Sequence, residues 1–257
     1  MRDREGASES TQVQDYRLPK SVKPRRYEIR LEPDLKAFAF KGDESIALEV
    51  LEPTTEIVLN ALELEIDSAT VEAAGKRLRA AVRMEPEKER AHLRLSESLA
   101  PGEYTLQLAF RGVLNDKLHG FYRSQYTDAA GKTHVLATTQ FESTDARRAF
   151  PCWDEPELKA SYKIVLVVDQ QLAAISNAGE EGVRNLAGGK KEVSFKETMV
   201  MSTYLVAFIV GEFEATAPVG KATLSEWLDS ALLPDNENNS IFPDIPPCPP
   251  GGKANAT

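Results

Sequence analysis

An all-β fold, built as an antiparallel multi-stranded sheet or sandwich, is what this sequence predicts, and three observations carry that reading. Apolar residues alternate with polar ones in segment after segment between residues 25 and 210. Turn-forming residues separate these segments at spacings of roughly 8–12 residues. Long helical periodicity is almost absent, and no glycine-rich turn joins a strand to a long helix, so an α/β nucleotide-binding fold is not expected.

The first 16 residues are polar and aperiodic and read as a disordered leader. Tyr27, Ile29 and Leu31 then alternate with charged residues, and Ile46, Leu48 and Val50 do the same in the next run. Period-two alternation puts one face of each strand in a core and the other in water. Shorter pieces follow at 57–59, 62–66, 69–71 and 92–95, punctuated around Pro53 and Gly75. The clearest strand spans 103–111, directly after the Pro101-Gly102 turn. There Leu106, Leu108 and Phe110 share one face, and Thr105, Gln107 and Ala109 share the other. Residues 135–141, 162–168, 173–176, 192–195 and 204–210 complete the set. The nearly continuous apolar runs at 162–168 and 204–210 predict strands covered on both faces.

Beyond Thr216 the composition breaks, with Pro218, Pro234, Pro243, Pro246, Pro247, Pro249 and Pro250 crowded together. Proline has no N–H to give a ladder. Residues 217–257 therefore read as a proline-rich tail, either plain linker or recognition segment, with room for one short amphipathic helix near 224–232. The organisation expected is a leader at 1–16, a β-domain at 17–216 and the tail at 217–257.

Bulk composition narrows the function. A chain of 257 residues with 42% hydrophobic residues can bury a substantial core. The net charge of -9, with basic residues scattered among acids, argues against nucleic acid, which needs clustered Lys and Arg. Cys152 and Cys248 lie in unlike contexts and read as free thiols, which favours a reducing compartment. No apolar run follows the charges at the start, and no stretch nears the roughly 20 apolar residues that span a bilayer. A soluble cytoplasmic protein with no membrane partner is expected, or an exported one if a signal was lost from an incomplete start. Asn238-Asn239-Ser240 and Asn255-Ala256-Thr257 match the glycosylation sequon, which carries weight only after secretion.

The most informative segment runs from Thr139-Gln140-Phe141-Glu142 through Arg147-Arg148-Ala149-Phe150 to Pro151-Cys152-Trp153-Asp154-Glu155-Pro156. It resembles the signature of the amino-terminal domain of the aminopeptidase N family of zinc metallopeptidases. The resemblance extends, in order, over about residues 17–214. It includes Arg17-Leu18-Pro19, Pro24-Arg25-Arg26-Tyr27, Leu118-His119-Gly120-Phe121-Tyr122-Arg123-Ser124 and Ser176-Asn177. Met201-Ser202-Thr203-Tyr204-Leu205 and Gly211-Glu212-Phe213 close it. It implies a saddle-like β-domain that caps a catalytic domain and helps line its cleft.

The resemblance also implies that Gln140 and Glu142 line the pocket for a substrate's first residue, with Glu142 binding the free α-amine. The chemistry is sound in itself. A terminal ammonium gives an anchored carboxylate charge-assisted hydrogen bonds that an internal amide cannot replace, and a blocked terminus would leave that carboxylate unpaired. The spacing alone leaves a plainer reading open, in which Glu142 is a sheet-edge acid paired with Arg147 or Arg148. Arg147, Arg148, Asp154 and Glu155 are expected to form ion pairs around the Phe150-Pro151 turn. Cys152 is expected to be buried and unreactive.

His92, His119 and His134 have no i, i+4 partner, and the chain contains no H-E-x-x-H, the zinc grip of the family. No metal ligand and no catalytic residue is therefore expected among these residues. Zinc belongs to the full-length family, and the chain is expected to act as a fragment inactive alone, with a peptide N-terminus and the parent enzyme's catalytic domain as partners. The alternative is a non-catalytic protein- or peptide-binding module derived from that domain.

Overall fold

Alternating burial and exposure governs the long central strands of the computed structural model, which describes residues 17–213 apart from Ala74 and Ala129. The strands are β1 (Val22–Asp34), β2 (Ala39–Val50), β3 (Thr54–Asn60), β4 (Leu64–Ala73) and β5 (Lys76–Arg79). They continue as β6 (Ala81–Glu85), β7 (Arg90–Leu99), β8 (Gly102–Val113), β9 (Gly120–Thr127) and β10 (Thr133–Gln140). β11 (Ser161–Asp169), β12 (Ala173–Ser176), β13 (Glu180–Leu186), β14 (Lys190–Phe195) and β15 (Phe208–Gly211) complete the series. The fold is all-β: the described residues form only three short 3-10 turns besides these strands. The expected leader and tail, Cys248 and the short helix at 224–232 lie outside the described residues.

Three sheets share the strands. Eight form one sheet in the order β13-β14-β11-β1-β2-β8-β4-β5, four form β12-β15-β10-β9, and three form β3-β7-β6. All pairings are antiparallel except that of β1 with β11, which run parallel with Tyr27 beside Tyr162 and Ile29 beside Ile164. The large sheet is thus mixed, because β11 returns to β1 after a long excursion that builds the three-stranded sheet and the first two strands of the four-stranded one.

Tyr27, Ile29, Leu31, Ile46, Leu48, Leu106, Leu108 and Phe110 line the inner face of this sheet, as their alternation predicts. Phe40 lies opposite Gly112, and Phe110 opposite Gly42. A Cβ on Gly112 would stand 2.4 Å from the Phe40 ring, and one on Gly42 2.5 Å from the Phe110 ring, so each aromatic occupies the space its glycine leaves. The outer face carries cross-strand ion pairs, among them Arg30 with Glu192 at 3.1 Å and Lys190 with Glu32 at 2.6 Å. Both pairs are partly buried; exposed ones such as Arg26 with Glu197 contribute about 1 kcal/mol or less each.

Several strands depart from the sequence pattern in instructive ways. The pieces expected at 62–66 and 69–71 are one strand, β4, with a register shift between Ile66 and Ser68 that breaks the alternation. β5 and β13 are edge strands with almost no buried residue, so they have no apolar face to read. The run at 204–210 begins as a 3-10 turn, Thr203–Leu205, and only Phe208–Gly211 joins a sheet. β11 meets expectation, with residues 164–168 all buried.

A chain of aromatic contacts ties the sheets together. Phe40 of β2 packs on Phe121 of β9, which packs on Phe208 of β15. Phe208 meets Phe141, Phe141 meets Phe150, Phe150 meets Tyr27, and Tyr27 stacks on Tyr162 at 5.0 Å. Two of these seven rings, Phe141 and Phe150, belong to the signature segment, which therefore sits where the large and four-stranded sheets meet.

Candidate functional site

β10 delivers the signature. Its last residue, Gln140, pairs with Gly120 at the start of β9. Phe141 then turns inward and is 2% exposed, while Gln140 on one side of it and Glu142 on the other face solvent. One buried ring between two exposed polar residues continues the strand's alternation by one step past its end. The Glu142–Ser143 peptide bond is cis. The turn closes where the Asp145 N–H donates to the Phe141 carbonyl at 2.9 Å, and the 3-10 turn Ala146–Arg148 follows.

The remainder of the segment is tightly pinned. Asp154 is buried; its carboxylate accepts from Arg147 Nε at 2.9 Å and from Thr203 Oγ1 at 2.6 Å, and its backbone N–H donates to Asn60 Oδ1 at 3.2 Å. Arg147 reaches Glu89 as well, at 2.8 Å. Asn60 and Cys152 exchange two backbone hydrogen bonds, at 2.7 and 3.0 Å, stitching the segment to the end of β3. The Trp153 N–H donates to Tyr27 Oη at 3.2 Å. Glu155 accepts from the Leu18 N–H at 2.6 Å and pairs with Arg17 at 3.0 Å, holding the entry of the domain. Arg148 engages Asp145 at 2.7 Å and Glu63 at 2.7 Å.

All four charged residues expected to form ion pairs around the Phe150-Pro151 turn are paired, but only Arg147 and Asp154 pair with each other: Arg148 pairs with Asp145 and Glu63, and Glu155 with Arg17 at the entry of the domain. Neither arginine reaches Glu142. Among the described residues, the side chains of Gln140 and Glu142 make no hydrogen bond or ion pair. The plainer reading of Glu142 as a paired sheet-edge acid therefore fails, and its carboxylate points outward with every acceptor position open. An open cleft of about 710 Å³ lies beside the segment, lined by Thr144, Arg147, Asp154 and Glu155 on one side and Glu87–Arg90 on the other. Gln140 and Glu142 do not line it.

Cys152 is wholly buried, and burial pushes its thiol well above the usual cysteine range, so thiolate chemistry is disfavoured. The histidines are scattered and individually paired. His92 Nε2 is 2.7 Å from Glu85, His134 Nε2 is 2.9 Å from Asp128, and His119 Nδ1 is 3.8 Å from Asp145. No three His, Cys, Asp or Glu side chains converge to hold a metal among the described residues, so these residues do not fit a zinc ion. At the end of β10 this surface presents one exposed carboxamide, Gln140, and, two residues on, one exposed carboxylate, Glu142. The supporting roles of Asn60, Gly120, Asp145 and Thr203 were not legible in the chain, because each acts through contacts remote in sequence or through backbone geometry.

Comparison with known proteins agrees with this architecture. The model of the Peptidase M1 N-terminal domain matches residues 23–205. Aminopeptidase M1-D of Oryza sativa subsp. japonica is 47% identical over 198 residues, covering 77% of this chain and 22% of the relative. Aminopeptidase M1 of Arabidopsis thaliana is 47% identical over 205 residues, covering 77% and 23%. The alanine/arginine aminopeptidase of Saccharomyces cerevisiae is 42% identical over 203 residues, covering 76% and 23%. The chain thus spans just over a fifth of the length of these relatives. On these matches the chain belongs to the M1 aminopeptidase family, through that family's amino-terminal domain.

Proposed function

We propose that this chain forms the amine-recognising wall of an aminopeptidase cleft. Glu142 accepts charge-assisted hydrogen bonds from the α-ammonium of a peptide, and Gln140 lines the pocket for its first side chain. The single observation that carries this reading is the contrast within the signature. Its other charged side chains are engaged, while the carboxylate the family uses for the amine is exposed and unpartnered. A fixed acceptor of this kind favours the charged terminus over an acylated one, which brings neither charge nor three N–H donors.

Hydrolysis and zinc, in this reading, belong to a catalytic domain of the kind found in whole enzymes of the family. The isolated chain then binds amines without turning them over. Met199 and Val200, 81% and 64% exposed, and Leu205, 49% exposed, flank the Thr203–Leu205 turn and are the apolar surface such a domain would cover.

The test is a nuclear magnetic resonance titration with leucinamide and with N-acetyl-leucinamide. Leucinamide should shift the Gln140 and Glu142 side-chain resonances with an affinity on the order of 1 mM, as one exposed ion pair and a partial pocket allow. The acetylated compound should leave them unmoved. Equal shifts from both compounds, or none from either, would sink the reading.

A further inference from the structure

From the packing around Gly120, we infer that Arg148 is a positioning residue: with Asp145 it forms a buttress that holds the turn bearing Glu142 and the strand end bearing Gln140 in one fixed relation. The inference rests on the reading of Gln140 and Glu142 as the amine-binding pair and extends it to residues that touch no substrate.

Three observations converge on it. First, Gly120 is the ladder partner of Gln140, and it has a φ of +69°, which L side chains rarely adopt. A Cβ on Gly120 would stand 2.8 Å from Arg148 Cβ and 3.2 Å from Arg148 Cδ. The arginine stem therefore lies directly on the backbone that sets the Gln140 register. Second, the head of the same arginine holds Asp145, with Nε donating to Oδ1 at 2.7 Å, while Nη1 stands 2.7 Å from Glu63. Third, Asp145 closes the Glu142 turn, its N–H donating to the Phe141 carbonyl at 2.9 Å. The same residue's carbonyl accepts from the Arg148 N–H at 3.1 Å, and its carboxylate lies 3.8 Å from His119 Nδ1.

One side chain thus presses on the strand end that carries the carboxamide and grips the residue that closes the turn carrying the carboxylate. The physical advantage is preorganisation. An exposed carboxylate with no partner of its own would otherwise spend conformational freedom on each binding event. Fixing the turn from behind leaves the acceptor oxygens open while removing that cost. A lysine at 148 could reach Asp145 or Glu63 but lacks the planar fork that serves both at once.

The experiment compares wild type with Arg148→Ala, Arg148→Lys and Asp145→Asn by hydrogen exchange and by leucinamide titration. In Arg148→Ala and Asp145→Asn, the Asp145 amide should exchange about tenfold faster while amides of β2 keep their wild-type rates, as loss of one charge-assisted bond in a locally opening turn predicts. Leucinamide affinity should fall about tenfold in both, with Glu142 intact, and Arg148→Lys should lie between them and wild type. If Arg148→Ala does not fold, Asp145→Asn decides alone. Wild-type exchange at Asp145 in a folded variant overturns the inference, and so does faster exchange with unchanged leucinamide affinity. Should wild type itself bind no leucinamide, the amine-binding role falls, while the exchange rates still decide whether the buttress holds the turn.

Discussion

Glu44, in the middle of β2, and Glu142, just past the end of β10, both lack a side-chain partner among the described residues, and their surroundings give the same deficiency opposite meanings. Glu44 lies on the inner face of the large sheet, 4% exposed, between Ile29 of β1 and Leu108 of β8 in register, and neither of its carboxyl oxygens meets a hydrogen-bond partner. Burial holds its carboxyl well above the usual carboxylate range. Burial favours the neutral form of this acid, and leaving its two oxygens without a hydrogen bond carries a desolvation cost. Glu142 is exposed, so water satisfies its oxygens at no cost and a ligand can displace that water. An unpaired acid thus marks a structural liability when buried and a recognition group when exposed on a braced turn. The bracing distinguishes the second case: around Glu142 the neighbouring charges are committed elsewhere, whereas the in-register neighbours of Glu44, Ile29 and Leu108, are apolar and give its carboxyl no hydrogen bond.

The comparison breaks most readily at the bracing. Asp154→Ala removes the acceptor shared by Arg147 and Thr203 and leaves a largely buried guanidinium with Glu89 as its remaining anionic partner. The expected loss is about 3–5 kcal/mol, the usual cost of breaking a buried ion pair from one side. Urea denaturation measures it, and a loss below about 1 kcal/mol would mean that the signature is not pinned in the way its contacts imply.

The buried member of the pair comes next. Glu44→Leu should stabilise the domain by about 1–3 kcal/mol, because it replaces unsatisfied polar atoms with a side chain of similar size. The pH dependence has a definite sign. A carboxyl whose folded pKa is raised contributes most below the ordinary carboxylate range and loses that contribution as pH rises toward the folded value. Relative to Glu44→Leu, wild type should therefore lose stability as pH rises above the ordinary carboxylate range. Parallel stability profiles for the two proteins would show that Glu44 has found a partner or reached solvent.

The exposed member gives the smallest effect. Glu142→Gln should change stability by about 0.5 kcal/mol or less, since no intramolecular partner is lost. It should nonetheless abolish the leucinamide shift. A large destabilisation by this variant would assign Glu142 to the scaffold and erase the contrast with Glu44.

The legible parts of this protein were those that depend on neighbours two residues apart. Leu106, Leu108 and Phe110 announced an inner face, and the run at 162–168 announced a doubly covered strand; both are found as read. The edges were not legible, because β13 has no buried face to leave a pattern. Glu44 was hidden for a related reason. It occupies an inner position of β2, but a glutamate among alternating polar residues reads as an outward one.

By itself the sequence determined the class of fold, through the period-two burial that any pleated strand imposes, and the family, through an ordered series of motifs centred on the segment from Thr139 to Pro156. Tertiary structure alone decided which charges are spent and which are free. Arg147 is committed to Asp154 and Glu89, and Arg148 to Asp145 and Glu63, although Glu142 lies closer in sequence to both arginines than Glu89 or Glu63 does. The reason is geometric. Side-chain alternation is a local property of extended backbone, whereas the reach of a guanidinium depends on which remote strand passes beneath it, and that is settled only when the sheets pack.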